Sequence, residues 1–332
     1  MVIKIKKDCK AMKINEIPLK KIERDLFFRF SSPLPLEALK RSVRESGITN
    51  PLFLVPSNSG YRIVAGFNRF RVAEELKMKS VPAWIFSDRV PLERSFYMAV
   101  LEHLVCRNLN MVEKARIVRI LKRIGCSEEY MKEFFLPLLD IPENRVVIEE
   151  IENILSYPDS VQNYIERYNL SLKMSRMFKE MSSEEQELFI EIADLLQIRG
   201  VELSEIVTMC SEVSKREGIS VQRVVADLSL LKICRCDEMN RQEKIDTIKR
   251  GLKERRFPNL FKWNEQLNKL RKGMTLPHNV ELSWDSQMER PGVELKLRLV
   301  SMSNYNDFKE WISSGRIKEN LNKMIEILAG VE

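Results

Sequence analysis

Hydrophobic periodicity changes twice along this 332-residue chain, and those changes constrain its fold more than any single motif. Short alternating or apolar runs at about residues 12–17, 51–56, 61–65 and 81–86 read as strands. Residues 35–46 and 68–76 read as helices with one apolar face. Pro35 falls near the first turn of the former and Gly47 follows its last residue, the usual asymmetry of helix ends. Ser57-Asn58-Ser59-Gly60 is turn chemistry, so 51–65 forms a hairpin, and Gly66 separates its returning strand from the next helix. From about residue 91 the period becomes helical. A helix over 92–107 is followed by one opened by Asn110, with Glu113 three residues on as a capping box. Further amphipathic helices follow at 127–138, 143–156, 158–167, 171–181, 183–197, 202–216 and 220–231. The last ninety or so residues switch again. A basic helix over 240–256 stops at Phe257-Pro258 and resumes over 261–272. Alternating strands at 280–284 and 293–299 flank a polar connection, an antiparallel pair with one wet face. Helices over 305–313 and 317–328 cover its apolar side. The expected class is α+β: a small α+β domain over 1–107, an all-helical domain over 108–238, and a small α+β domain with a basic helix over 239–332.

Composition removes several classes. No uncharged apolar stretch is long enough to span a bilayer, and the start, Met1 to Lys7, is basic and alternating rather than a signal peptide. The reading is a cytoplasmic protein with no membrane partner. The six cysteines are scattered like reduced thiols. Cys234 and Cys236 form half of a metal pair that no second pair or nearby histidine completes. The net charge of +7 is concentrated, because residues 241–273 hold eleven Lys/Arg against four Asp/Glu and the rest of the chain balances. Such a surplus marks either a polyanion-binding surface or a solvated helix face. Lys249, Arg250, Lys253, Arg255 and Arg256 are its candidate nucleic-acid contacts, interleaved with Phe257, Phe261 and Trp263. Contacts of this kind give affinity without base information.

Three patches in the first hundred or so residues carry phosphate chemistry. Gly66-Phe67-Asn68-Arg69-Phe70-Arg71 puts a glycine between strand and helix, where backbone can approach a phosphate and the helix N-terminus offers free N–H groups. Arginines in the first turns add charge-assisted hydrogen bonds. Ser46-Gly47-Ile48-Thr49-Asn50-Pro51 precedes it. Glu102-His103-Leu104 with Asn108-Leu109-Asn110 and Glu113 follows it.

In that order the patches resemble the "G-x-x-Q-P", "G-E-R-R-x-R-A-A" and "E-N-L-Q-R-x-D-L-N-x-x-E" elements of the ParB family. The resemblance implies a ParB/sulfiredoxin-fold N-terminal domain. It further implies a site for CTP, or another NTP, with Mg²⁺. Thr49, Asn50, Gly66, Asn68, Arg69, Arg71 and His103 would contact the nucleotide and Glu102 the metal; no catalytic residue is assigned. The sequence departs from the family at five places. Asn50 stands for Gln, Phe67 for Glu, Asn68 for Arg, His103 for Asn, and Val105-Cys106 for Gln-Arg. Arg69, Arg71 and Glu102 read equally well as internal ion pairs. A sulfiredoxin-like activity would need a cysteine where Phe67 and Asn68 stand. After the third patch a helix-turn-helix is expected, but Phe134 to Pro142, with two prolines and an apolar run, replaces its polar turn and reading helix.

The leading expectation is therefore a bacterial ParB-like, DNA-associated protein, in partition, mobile-element maintenance or regulation, with a homodimer as a further partner state. An NTP-using enzyme of the same fold and a non-catalytic interaction scaffold stand beside it.

Overall fold

The computed structural model describes residues 14–32, 35–87 and 90–330. The basic start, residues 12 and 13 of the first expected strand, and Cys9 lie outside the described residues, as does the Cys106 side chain. The chain divides into two compact units, Met1–Ile190 and Glu191–Glu332. The expected boundary at 107/108 falls inside the first unit and that at 238/239 inside the second.

The first unit begins with a four-stranded sheet in the order β1-β4-β2-β3, built from β1 (Ile14–Pro18), β2 (Leu52–Ser57), β3 (Gly60–Ala65) and β4 (Ser80–Ile85). β1 and β4 pair antiparallel, β4 and β2 parallel, and β2 and β3 as an antiparallel hairpin with an irregularity at Phe53/Leu54. Leu52, Leu54, Ile63, Val64, Val81 and Ala83 are buried, each large side chain contributing roughly 1.5–3 kcal/mol of transfer free energy. Three helices accompany the sheet, α1 (Glu37–Ser46), α2 (Phe67–Glu75) and α3 (Leu92–Cys106), of which α2 and α3 pack with it directly. α1 rests on α2 through Leu36, Val43 and Val72.

α4 (Met111–Arg123) begins at Asn110 with both capping-box bonds to Glu113 formed. The chain then runs helically from Glu128 to Leu138, with a π turn over Met131–Phe135. That turn lies just before Pro137, whose missing N–H and bulky ring oppose ordinary helical bonding. Asp140 ends the segment at φ 52°, while the amides of Asp140 and Ile141 donate back to Pro137 and Leu136, a Schellman-type stop. Asn144 then caps a helix over Arg145–Asn153. The two helices expected at 127–138 and 143–156 are thus both present, joined by a short turn. The apolar run is the inward face, with Met131, Phe135, Leu136, Leu139 and Ile141 buried, and the prolines sit at bends rather than ending the fold.

In the second unit, helices Gly200–Glu217 and Arg241–Arg256 pack together. The expected single helix over 220–231 is broken into Val221–Asp227 and Leu230–Cys234, with Ser229 at φ 51° between them. Pro258–Gly273 precedes the antiparallel pair β5 (Val280–Trp284) and β6 (Val293–Leu297), and Met302–Ser313 and Gly315–Ala329 close the chain. Leu267, Met274, Leu282, Ile317, Met324 and Leu328 form their common core. No helix among the described residues is long and apolar enough to cross a membrane.

Candidate functional site

α2 starts at a glycine because nothing else fits. Gly66 has φ 99°, and a Cβ there would lie 3.0 Å from Leu52 Cγ and 3.3 Å from Arg69 Cζ. The first intrahelical bond runs from the Phe70 amide to the Gly66 carbonyl. The amides of Phe67, Asn68 and Arg69 precede it, and no side chain caps them. They face the conditions that make a helix N-terminus an anion site.

A cleft of about 340 Å³ opens at this point, and it gathers Thr49, Asn50, Gly66, Asn68, Arg69, Glu102 and His103. Arg69 is heavily bonded within it. Its Nη1 donates to the carbonyls of Asn50 (2.7 Å) and Pro51 (2.8 Å), and its Nη2 to Glu102 Oε1 (2.7 Å). Asn50 Nδ2 donates to the same carboxylate oxygen at 2.9 Å. Glu102 Oε2 is buried with no hydrogen-bond partner among the described residues, and so is Asn68 Oδ1. A buried acceptor left in that state costs about 1–3 kcal/mol, so the cleft as it stands favours an incoming donor or cation. His103 meets Phe30 edge to face at 4.7 Å, and burial, outweighing nearby Glu102, holds its pKa below the usual imidazole range.

Arg71 is not among the cleft's lining residues. It is exposed, one turn beyond Asn68 on the same face of α2. Among the described residues the internal ion pair open in the sequence is formed by Arg69 and Glu102. Arg29, which sequence reasoning missed, lies close enough to Arg71 to feel its charge. No local pattern marks a residue whose significance is a neighbour from another helix.

Arg107 also lines the cleft, and its Nη1 and Nη2 donate to both oxygens of Glu113, at 2.7 and 2.6 Å. Glu113 is 1% exposed and also accepts from the Asn110 amide. Arg116 Nη1 donates to Ser32 Oγ and pairs with Glu166 at 3.0 Å.

The basic helix is less free than its composition. Lys249 pairs with Glu205, Arg255 with Glu217 and Asp227, and Arg256 with Glu212. Arg250 and Lys253 are exposed and have no ion pair among the described residues. Residues 127–149, which run from the start of Glu128–Leu138 into the helix Arg145–Asn153, carry six carboxylates and two cations. The helix Arg145–Asn153 turns Arg145, Val146 and Glu149 outward, and Arg145 is paired with Glu149 at 2.9 Å.

Residues 4–104 match the family described as the ParB N-terminal domain. The N-terminal domain is ParB-like. The probable chromosome-partitioning protein ParB of Helicobacter pylori is 24% identical over 50% of this chain and 56% of its own length. Stage 0 sporulation protein J of Bacillus subtilis is 29% identical over 50% and 58%. The chain thus spans little more than half the length of these curated relatives. A solved structure of the C-terminally truncated chromosome-partitioning protein ParB from Caulobacter crescentus, complexed with CTP-gamma-S, is 22% identical and covers 53% of this chain and 98% of its own, at a TM-score of 0.26. Another, complexed to the centromeric parS site, is 18% identical over 58% and 98%, at 0.33.

Proposed function

We propose that this ParB-like chain is a nucleotide-dependent, DNA-associated protein of the bacterial cytoplasm whose nucleotide occupies the cleft at the start of α2. The observation that carries the reading is the opening of three uncapped amides onto a cleft beside Glu102, whose second oxygen has no donor. The amides suit a phosphate. The residues also fit Mg²⁺, which takes carboxylate and amide oxygens together with phosphate, because Glu102 Oε2 and Asn68 Oδ1 are both acceptors without donors. When bound, the ion would offset phosphate charge. Arg69 ties β2, α2 and α3 together and so keeps the cleft in shape. With Phe67 uncharged and Arg69 already bonded, the chain's own groups support binding better than turnover.

Support for DNA association comes from the relatives, named as chromosome-partitioning proteins, one of which is described as complexed to the parS site. Arg250 and Lys253 are the contacts proposed for DNA phosphates. Thermal unfolding with each of the four NTPs and Mg²⁺, with and without duplex DNA, tests both halves. One NTP at about a hundred times its Kd should stabilise the protein by about 2.7 kcal/mol; no shift with any NTP overturns the nucleotide reading. The R250E/K253E double variant should flatten the salt dependence of DNA affinity by about two phosphate contacts; an unchanged slope removes that surface.

A homodimer is proposed through the C-terminal sheet. β6 has a free edge, and Leu295 and, just beyond the strand, Leu299 are 38% and 54% exposed, an arrangement that invites pairing with a second copy. The mass in solution should be that of two chains, and the mass of one chain refutes the idea.

A further inference from the structure

The aromatics beside the basic helix Arg241–Arg256 are not equally engaged. Arg256 lies over the Phe257 ring at 4.5 Å. Phe261 is 38% exposed and has no ring or cation contact among the described residues. It lines a cavity of about 380 Å³ in the second unit, a volume within the range of small-ligand sites. Leu228, Leu230 and Ile233 give that cavity an apolar side, and Ser229, at φ 51°, breaks the helix between the two leucines. Thr247, Arg250, Gly251 and Glu254 complete it, spaced so that they share one face of the basic helix.

We propose that this cavity seats one unpaired base of single-stranded DNA, stacked on Phe261, while the adjoining phosphates run over Arg250 and Lys253. The inference rests on the DNA-association reading and adds the form of DNA and the side chains that meet a base. Gly251 supports it most directly. A glycine in a helix interior is a poor choice beside alanine, so some other demand should account for it. Packing makes no such demand, because a Cβ there would meet only Leu228 Cδ2, at an ordinary 3.7 Å. Neither does the backbone, which is helical at this position. What the missing methyl group does is leave the cavity wider on the side of the helix that faces Leu228.

The charges fix which part of a strand enters. The Glu254 carboxylate lines the cavity, so a phosphate would be repelled there. A neutral ring bearing N–H donors would not, and Thr247 adds a hydroxyl that both donates and accepts. Arg250, Lys253 and Lys262 are exposed and have no ion pair among the described residues, which suits the phosphates on either side of the seated base. Aromatic faces combined with unpaired cations are the means by which proteins hold single strands without reading their sequence. In a duplex the bases are stacked and paired, so only the phosphate contacts would remain.

Fluorescence anisotropy of the full chain with three probes tests this: a short oligothymidylate, a strand of equal length and charge with abasic sites at its centre, and a duplex. The wild-type chain should bind the intact strand about tenfold more tightly than the abasic one, the scale of one stacked base. Phe261→Leu and Gly251→Ala should each remove most of that difference and leave the abasic strand and the duplex unchanged. Arg250→Gln should weaken intact and abasic strands alike. Gly251→Ala should also melt no earlier than wild type, since alanine favours the helix, so its lost affinity reports a filled cavity and not a damaged fold. Equal wild-type affinity for the intact and abasic strands overturns the base site, as does a preserved difference in both variants. DNA association then still stands on the phosphate contacts. A wild-type chain that binds neither strand nor duplex removes both readings.

Discussion

Glu113→Ala should lower the stability of the N-terminal unit by about 2–4 kcal/mol, among the largest losses available from one side chain. Glu113 is 1% exposed and accepts both N–H groups of the Arg107 fork, the Asn110 amide and the Ser32 amide. Removing one member of a buried pair is expensive chiefly because the other is left uncompensated. The Arg107 side chain is 36% exposed, so it can reach water, which places the expected loss below the upper end of that class. Loss of the capping-box carboxylate adds a smaller share. Glu113→Gln keeps an acceptor at this position and should lose about half as much. Because the chain has two compact units, a single melting point would mix them. Native-state hydrogen exchange of the α4 amides reads the right region. A loss below about 1 kcal/mol in the alanine variant would mean that the buried carboxylate is not what joins α3 to α4.

What could be read from the sequence was local. Short alternating or apolar runs gave the four strands because each is bounded by turn or helix signals, and Asn110 with Glu113 gave a helix start because the capping box lies within four consecutive residues. Gly66 was legible as a break before a helix. Features that depend on a partner distant in sequence were not. The bonding of Arg69 to the carbonyls of Asn50 and Pro51 follows from the way α2 is laid over the start of β2, which no spacing within the motif encodes. The basic helix looked free because composition records its own charges and not those of Glu205, Glu212 and Glu217 on the helix packed beside it. The prolines at 137 and 142 suggested a lost helix-turn-helix because they are strong helix breakers. The chain accommodates them with a π turn and an αL aspartate, and neither has a sequence signature.

Gly66→Ala should cost about 2–4 kcal/mol and remove nucleotide binding, whereas Gly218→Ala should cost only about 1 kcal/mol and leave binding unchanged; the scale comes from the penalty on an L-residue held at positive φ. Both glycines are left-handed, Gly66 at φ 99°, ψ 21° and Gly218, at the end of the helix Gly200–Glu217, at φ 65°, ψ 30°, so both variants pay for backbone strain. They differ in surroundings. A Cβ at Gly218 would meet nothing within 4 Å, while one at Gly66 would lie 3.0 Å from Leu52 Cγ and 3.3 Å from the Arg69 guanidinium. Leu52 is fully buried and cannot retreat without overpacking the sheet. Arg69 would have to give way instead, loosening its bonds to Asn50, Pro51 and Glu102, which hold the N-terminus of α2 against β2 and α3. The difference between the two variants therefore isolates the effect of packing at the cleft from that of backbone strain. Chemical denaturation of both variants, with nucleotide titration alongside, measures it. Equal losses in the two would show that strain alone accounts for the glycine and that the contact with Arg69 does not shape the site.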